Sequence, residues 1–152
     1  GYRATSLEGD EIVVAVIIPD APPTAFCTSY KVSKRRELDI STVAAGMYVE
    51  VVEGTVKAIR LAYGGLAPVS AARAKRTEAA LLGQPWTLAS VEAALPQVDA
   101  DFLPIADHRG SARFRSTLAR NLLLGFFLES QQADRDALIP VPVGTVRPGG
   151  TA

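Results

Sequence analysis

The sequence predicts an α+β fold: an antiparallel β-sheet of three or more strands covered on one face by helices. Three observations carry this. Val43, Ala45, Met47, Val49 and Val51 place apolar side chains at every second position. After Gly65 the apolar spacing becomes helical, three to four residues per repeat. Strands therefore precede helices, an order that favours a sheet with segregated helices over alternating βαβ units.

The strand elements are justified in order. Ile12 to Ile18 is β-branched and apolar at nearly every position, the pattern of a strand buried on both faces. Three prolines between Pro19 and Pro23 break it, and Phe26 to Val32 is a second strand able to pair back on it. The alternating run ends at Glu53-Gly54, a tight turn in which glycine is free to take positive φ. Thr55 to Tyr63 returns as the partner strand. Its alternation slips between Val56 and Ile59, which predicts a β-bulge, and Gly64-Gly65 ends it.

The helices follow. Ser70 is placed to cap a helix over 71–82, with Gly83 to end it. Leu88, Val91, Ala94, Leu95 and Val98 repeat at helical spacing, with Ser90 as their cap. Ser111 caps the longest helix, 112–130. There Phe114, Leu118, Leu122 and Phe126 form a stripe, widened by Leu123 and Phe127, with Arg113, Arg120 and Glu129 off it.

Length and composition bound the function. The chain has 152 residues, and residues 1–138 read as one domain. Residues 139–152 read as a proline- and glycine-rich tail, expected to be poorly ordered. The chain begins Gly1-Tyr2-Arg3 and soon enters an apolar run, which reads as a piece of a longer polypeptide or a processed product. Sixteen basic residues balance sixteen acidic ones, which argues against a nucleic-acid binder, since neutralising phosphates requires a cationic excess. Apolar residues make up 48%, enough for a packed core. The longest uncharged apolar runs hold about eight residues, whereas a spanning helix needs roughly 20. No basic-then-apolar leader occurs. The single cysteine, Cys27, forms no internal disulfide, and with the single histidine, His108, it makes no four-ligand zinc site. A soluble, reduced, cytoplasmic protein is expected.

Few residues point to chemistry. Cys27 sits in the apolar context Ala25-Phe26-Cys27 and is expected to be a buried structural thiol. His108 follows Asp107 in a polar loop, and no serine lies in a Gly-x-Ser-x-Gly elbow to make a triad with it. The acidic pairs Asp10-Glu11 and Asp99-x-Asp101 stand beside element ends, where solvated acids are ordinary. The densest signal is basic. Lys31, Lys34, Arg35 and Arg36 form either a solvated loop after a strand or a grip on a phosphate or an anionic ring. No Gly-x-Gly-x-x-Gly cradle accompanies them. From the residues alone this is an α+β domain without a self-contained active site.

Several motifs nevertheless occur together in order. Tyr2-Arg3-x-Thr5 precedes Asp10-Glu11-Ile12. Tyr30-Lys31-Val32-Ser33-Lys34-Arg35-Arg36-Glu37-x-Asp39-Ile40-Ser41 follows, then Leu61-Ala62-Tyr63-Gly64-Gly65-Leu66-Ala67-Pro68 and Glu78-Ala79-Ala80-Leu81-Leu82-Gly83. The last is Asp101-Phe102-x-Pro104-Ile105-x-Asp107-x-Arg109-Gly110-Ser111, running into Arg120-Asn121-Leu122-Leu123. Over roughly residues 1 to 130 the chain resembles the C-terminal part of the FAD-binding subunit or domain of xanthine dehydrogenases, in the molybdenum hydroxylase superfamily.

The resemblance implies a three-centre oxidoreductase. A molybdopterin centre hydroxylates a purine, two [2Fe-2S] clusters relay electrons, and FAD passes them to NAD. It implies as partners an N-terminal FAD-binding segment and iron–sulfur and molybdopterin subunits or domains, with no nucleic acid and no membrane. Lys31 matches a flavin-contacting lysine, and Val13 an apolar position that touches FAD. Tyr2 matches a tyrosine where the nicotinamide approaches, and Arg35 lies in a loop that abuts the flavin. Leu38 departs from the pattern, standing where animal members carry an acid. Asp107, Arg109 and Ser111 belong to the signature without an assigned role beyond loop-to-helix capping. The family's pyrophosphate-binding loop lies in a preceding part, so this chain is expected to supply one wall of the cleft and to bind FAD weakly or not at all by itself. A flavoprotein of a carbon monoxide, aldehyde or nicotinate-type hydroxylase and a cofactor-free interaction module are the alternatives.

Overall fold

The computed structural model describes residues 7–34, 40–67 and 71–132. Its period-two stretch builds the middle of one sheet. Strand β1 (Ala25–Val32), β2 (Val43–Val52), β3 (Thr55–Gly64) and the two-residue β4 (Ala72–Arg73) lie side by side in chain order, each antiparallel to the next. Three helices follow: α1 (Lys75–Leu81), α2 (Leu88–Asp101) and α3 (Ala112–Ser130). The fold is α+β, as the element order predicts.

The β2–β3 hairpin is where local chemistry decides most. Glu53 and Gly54 both take positive φ, 50° and 72°, the combination that lets a two-residue loop follow the right-handed strand twist. The register shifts once, between Glu50 and Val51: Glu50 faces Ala58, while Val51 faces Val56. This is the bulge expected between Val56 and Ile59. It leaves Val56, Ile59, Leu61 and Tyr63 all pointing into the core. Val43, Ala45, Met47 and Val49 join them from β2. In β1, Phe26, Thr28, Tyr30 and Val32 turn inward, while Cys27, Ser29 and Lys31 face solvent.

The helices cover the inward face. Helix α3 packs on β1 and β2, α1 packs on β3, and α2 joins the two helices. The buried face of α3 is Arg115, Ala119, Leu123, Phe126, Phe127 and Ser130. The expected stripe is therefore rotated by about one position, and Phe114 is exposed. The cause is aromatic packing at the far end of the helix. Phe126 stacks on Phe26 with ring centroids 5.2 Å apart, and Trp86 packs edge-on against both Phe126 and Phe127. Trp86 Nε1 donates to Ser130 Oγ at 2.8 Å, which lets a serine sit in that cluster.

Four local expectations are corrected. Ile12 to Ile18 is not a strand: it is irregular, and Ile12, Val13, Val14, Val16, Ile17 and Ile18 are exposed, Ile17 at 90%. An apolar run becomes a buried strand only when neighbours cover it, and β1 pairs with β2 instead. Cys27 is exposed, because strand alternation sends it to the solvent face of β1. Helix α1 starts at Lys75 because Ala72 and Arg73 extend to pair with Tyr63 and Ala62. Ser70 and the tail from residue 139 lie outside the described residues. Thr87, not Ser90, caps α2, its side chain accepting from the Ser90 backbone N–H at 3.3 Å. Ser111 caps α3 as expected, accepting from Phe114 N–H at 3.2 Å, and Gly83 takes φ 76° just past α1.

No helix among the described residues is long and apolar enough to cross a membrane.

Candidate functional site

The C-terminal end of β1, the N-terminal end of β2 and the C-terminal end of β3 meet at one end of the sheet. The Thr42 backbone N–H donates to Val32 O at 2.8 Å and closes the base of the 33–41 connection. At the same end lies the tight turn Asp107–Gly110. Asp107 Oδ1 accepts from the backbone N–H groups of Arg109 (2.8 Å) and Gly110 (3.2 Å). Lys34 Nζ donates to His108 O at 2.8 Å, and Thr42 Oγ1 to Arg109 O at 3.3 Å.

Beneath them lies Arg115, its side chain only 3% exposed. Its Nη1 donates to Thr42 O at 2.5 Å and Gly65 O at 2.8 Å, and its Nη2 donates to Asp107 Oδ1 at 2.6 Å. One planar guanidinium thus joins three segments, a geometry that a lysine ammonium does not reproduce. The Arg115 hydrogen bond, reinforced by the two turn amides, holds the Asp107 carboxyl down at about 2. A carboxyl depressed in the folded state adds stability above its unfolded value and loses it only as pH falls towards about 2. The Asp107 carboxylate is therefore charged throughout the neutral and mildly acidic range. Elsewhere in the core, burial raises the Tyr63 phenol, whose hydroxyl donates to Ala119 O at 3.2 Å. Burial, then the Glu129 carboxylate that accepts its hydrogen bond at 2.8 Å, raises Tyr30.

The residues expected at a cofactor are only partly placed. Lys31 stands on the solvent face of β1, opposite Ala44 and one residue from the end of the strand. Val13 lies in the irregular leading segment, 65% exposed. Tyr2 and Arg35 lie outside the described residues, as do Arg36 and Leu38. The structure does not join Lys31 to Val13 by any hydrogen bond. Among the described residues no group of three or more His, Cys, Asp or Glu could hold a metal ion. His108 is exposed on its turn.

Residue-by-residue reading missed two buried charges and one cap. Arg115 was hidden inside an apolar helix, its only signal being a place at the head of the 115, 119, 123 face. Glu78 is buried on α1, accepting from Leu61 N–H at 2.8 Å and from Arg73 Nη2 at 2.6 Å. Asp101, at the end of α2, caps the start of α1 across the fold. Its carboxylate accepts from Arg76 N–H (2.8 Å), Thr77 N–H (2.9 Å) and Thr77 Oγ1 (2.8 Å). Ala74, at the N-cap position itself, has no side chain to do this. Asp101→Ala is expected to cost about 1–2 kcal/mol in urea unfolding, the worth of a good N-cap with helix-dipole support. Asp99→Ala removes only an exposed pairing with Arg120 and should cost less than about 0.5 kcal/mol. Equal losses from the two changes would dismiss the capping role.

The fold defines a class, the C-terminal domain of molybdenum hydroxylase flavoproteins. Residues 28–130 match the CO dehydrogenase flavoprotein C-terminal domain family, and the chain belongs to it. It is 37% identical over 134 residues to xanthine dehydrogenase of Oryza sativa subsp. japonica, covering 84% of this chain and 10% of that protein. It is 31% identical over 153 residues to xanthine dehydrogenase/oxidase of Gallus gallus, covering 93% of this chain and 11% of that protein. The chain thus spans about a tenth of the length of these relatives. Among solved structures, carbon monoxide dehydrogenase from Hydrogenophaga pseudoflava lacking the Mo-pyranopterin moiety aligns with TM-score 0.64 and 30% identity, over 70% of this chain and 36% of that one. Quinoline 2-oxidoreductase from Pseudomonas putida 86 shares the fold, with TM-score 0.62 and 22% identity over 74% of this chain and 39% of that one.

Proposed function

We propose that this chain forms one wall of the FAD site in a xanthine dehydrogenase-like flavoprotein, with Lys31, Val13, Tyr2 and Arg35 facing the cofactor. The observation that carries the reading is Lys31: it lies inside the family-matched span, points outward from β1 and borders the basic loop. The residues present fit part of FAD. An outward cation suits the polar edge of an isoalloxazine, and exposed Val13 suits its apolar face. A buried pyrophosphate needs converging backbone amides from a Gly-rich turn or a helix N-terminus, and the sequence has no Gly-x-Gly-x-x-Gly turn. That half of the site is assigned to an N-terminal FAD-binding segment, and the exposed apolar run from Ile12 to Ile18 supports such a neighbour.

When bound, FAD supplies the redox chemistry, taking electrons relayed by iron–sulfur clusters from a molybdopterin centre and passing them to NAD. The chain's own residues orient the ring, hold a positive charge beside it and exclude water from one side. The assembly belongs to purine metabolism and to the cytoplasm in this reading. A nicotinate-type flavoprotein is the second reading, supported by 33% identity over 134 residues to nicotinate hydroxylase of Emericella nidulans.

Flavin fluorescence and calorimetry test the proposal. The chain alone is expected to bind FAD weakly or not at all, and tightly once the N-terminal segment is added in trans. Lys31→Ala should then weaken binding about ten-fold or more, the worth of a charged hydrogen bond. Tight stoichiometric binding by the chain alone refutes the one-wall reading, and unchanged binding by the variant removes Lys31 from the site.

A further inference from the structure

Asp107, Arg109 and Gly110 mark the sequence but contact nothing that a flavin reading uses directly. Their place in the fold suggests what they do. The 33–41 connection leaves the sheet at Val32 and returns at Thr42, and Arg115 holds that return point from the inside. The same guanidinium holds the exit of β3 at Gly65 and the carboxylate of the 107–110 turn. The turn in turn grips Lys34 through His108 O and Thr42 through Arg109 O. Lys34 and Thr42 are therefore both tied to one ion pair, its arginine buried and its carboxylate half-buried.

Two glycines show how closely the parts approach. Gly65 takes φ 81°, and a Cβ there would stand 2.4 Å from Thr42 O. A Cβ on Gly110 would stand 3.1 Å from Phe114 Cδ1 and 3.2 Å from Thr42 Cγ2. Helix α3 does not need this arrangement in order to form, since Ser111 caps it and Leu123, Phe126 and Phe127 anchor it. Arg115 Nε is buried without a hydrogen-bond partner, a cost that an apolar side chain would avoid. Such a pair is a poor source of stability, whereas the planar fork holds Thr42 O, Gly65 O and Asp107 Oδ1 in one fixed arrangement.

We propose that Arg115, held by Asp107, is a positioning residue that fixes Lys34 and Thr42, and through the Thr42–Val32 hydrogen bond the end of β1 that carries Lys31, beside the flavin wall. This rests on the flavin-wall reading. Neither residue touches the cofactor: Arg115 acts through Thr42, and Asp107 acts through the 107–110 turn.

The test uses the complete flavoprotein that carries this chain, with FAD. Asp107→Asn is isosteric and keeps an acceptor, while Arg115→Lys keeps the charge and loses the fork. Glu78→Gln is the control, since it weakens another carboxylate–arginine pair, between a buried carboxylate on α1 and the exposed Arg73 on β4, away from Lys34 and Thr42. Both clamp variants should weaken FAD about ten-fold, the cost of a small misplacement at a binding site, and shift its visible absorption. Glu78→Gln should lower the melting temperature and leave both flavin readouts unchanged. Clamp variants with wild-type affinity and spectrum overturn the proposal. So does a control that moves the flavin readouts equally, or an Asp107→Asn protein that fails to fold where Glu78→Gln folds, since the pair is then a folding element only. If the wild-type flavoprotein itself takes up no FAD, the flavin-wall reading fails separately. The clamp is then judged by trypsin: cleavage at Lys34 should quicken several-fold in Asp107→Asn and not in Glu78→Gln, and unchanged cleavage overturns it.

Discussion

Phe126→Ala is expected to lower the free energy of unfolding by about 3–5 kcal/mol, the usual cost of truncating a fully buried phenylalanine. Phe126 is 0% exposed, stacks on Phe26 from the sheet and meets Trp86 edge-on with centroids 6.1 Å apart. It therefore ties β1, α3 and the segment before α2 in one cluster. Its loss leaves a ring-sized void among side chains whose backbones are held by the β1–β2 ladder and by α3, so the site can collapse only partly. Trp86 is the chain's only tryptophan, so its fluorescence reports the change directly. Leu128→Ala, on the exposed side of the same helix, is the control and should cost less than about 1 kcal/mol. A Phe126→Ala protein within about 1 kcal/mol of wild type would show that this cluster is not the core.

Gly65→Ala carries the second large effect, and here the cause is backbone geometry. At φ 81° an L-residue costs roughly 1–2 kcal/mol from its Cβ alone. The added methyl also meets Thr42 O, a backbone atom that moves only if the start of β2 moves. Moving that carbonyl stretches its bond to Arg115, and a hydrogen bond to a charged group is worth about 1.5–3 kcal/mol. A total loss of about 2.5–5 kcal/mol is expected in urea or thermal unfolding, from these two contributions together. Gly54→Ala provides the contrast: its φ is 72°, but nothing lies within 4 Å of its Cβ, so only the backbone contribution of about 1–2 kcal/mol applies. Equal losses at the two glycines would mean that Thr42 yields freely and that the contact around Arg115 is loose.

Much of this was legible in the sequence because it depends on neighbours a few residues away. The β2–β3 hairpin follows from period-two alternation, from Glu53-Gly54 and from a slip in the pattern that the bulge explains. Ser111 caps α3 through a residue three positions on, and Leu123, Phe126 and Phe127 are buried as their helical spacing implies. The family was legible too, because its motifs occur in order and residues 28–130 match it. Composition correctly argued for a packed core, which the sheet and helices supply.

What the sequence left open was decided by partners distant along the chain. Ile12 to Ile18 has the composition of a buried strand, but burial depends on a cover, and no described element covers it. Cys27 reads as apolar from its neighbours, yet the pairing of β1 with β2 and the packing of α3 on one side turn it to solvent. The start of α1 was set by a strand pairing and by a carboxylate 24 and 25 residues away. Arg115 is the sharpest case. In the sequence it is a charge at the head of an apolar face, and only the meeting of Thr42, Gly65 and Asp107 gives that charge a place. Local propensity acts over one turn of helix or one hairpin, whereas a buried charge is satisfied by groups that only the tertiary fold brings within hydrogen-bond distance.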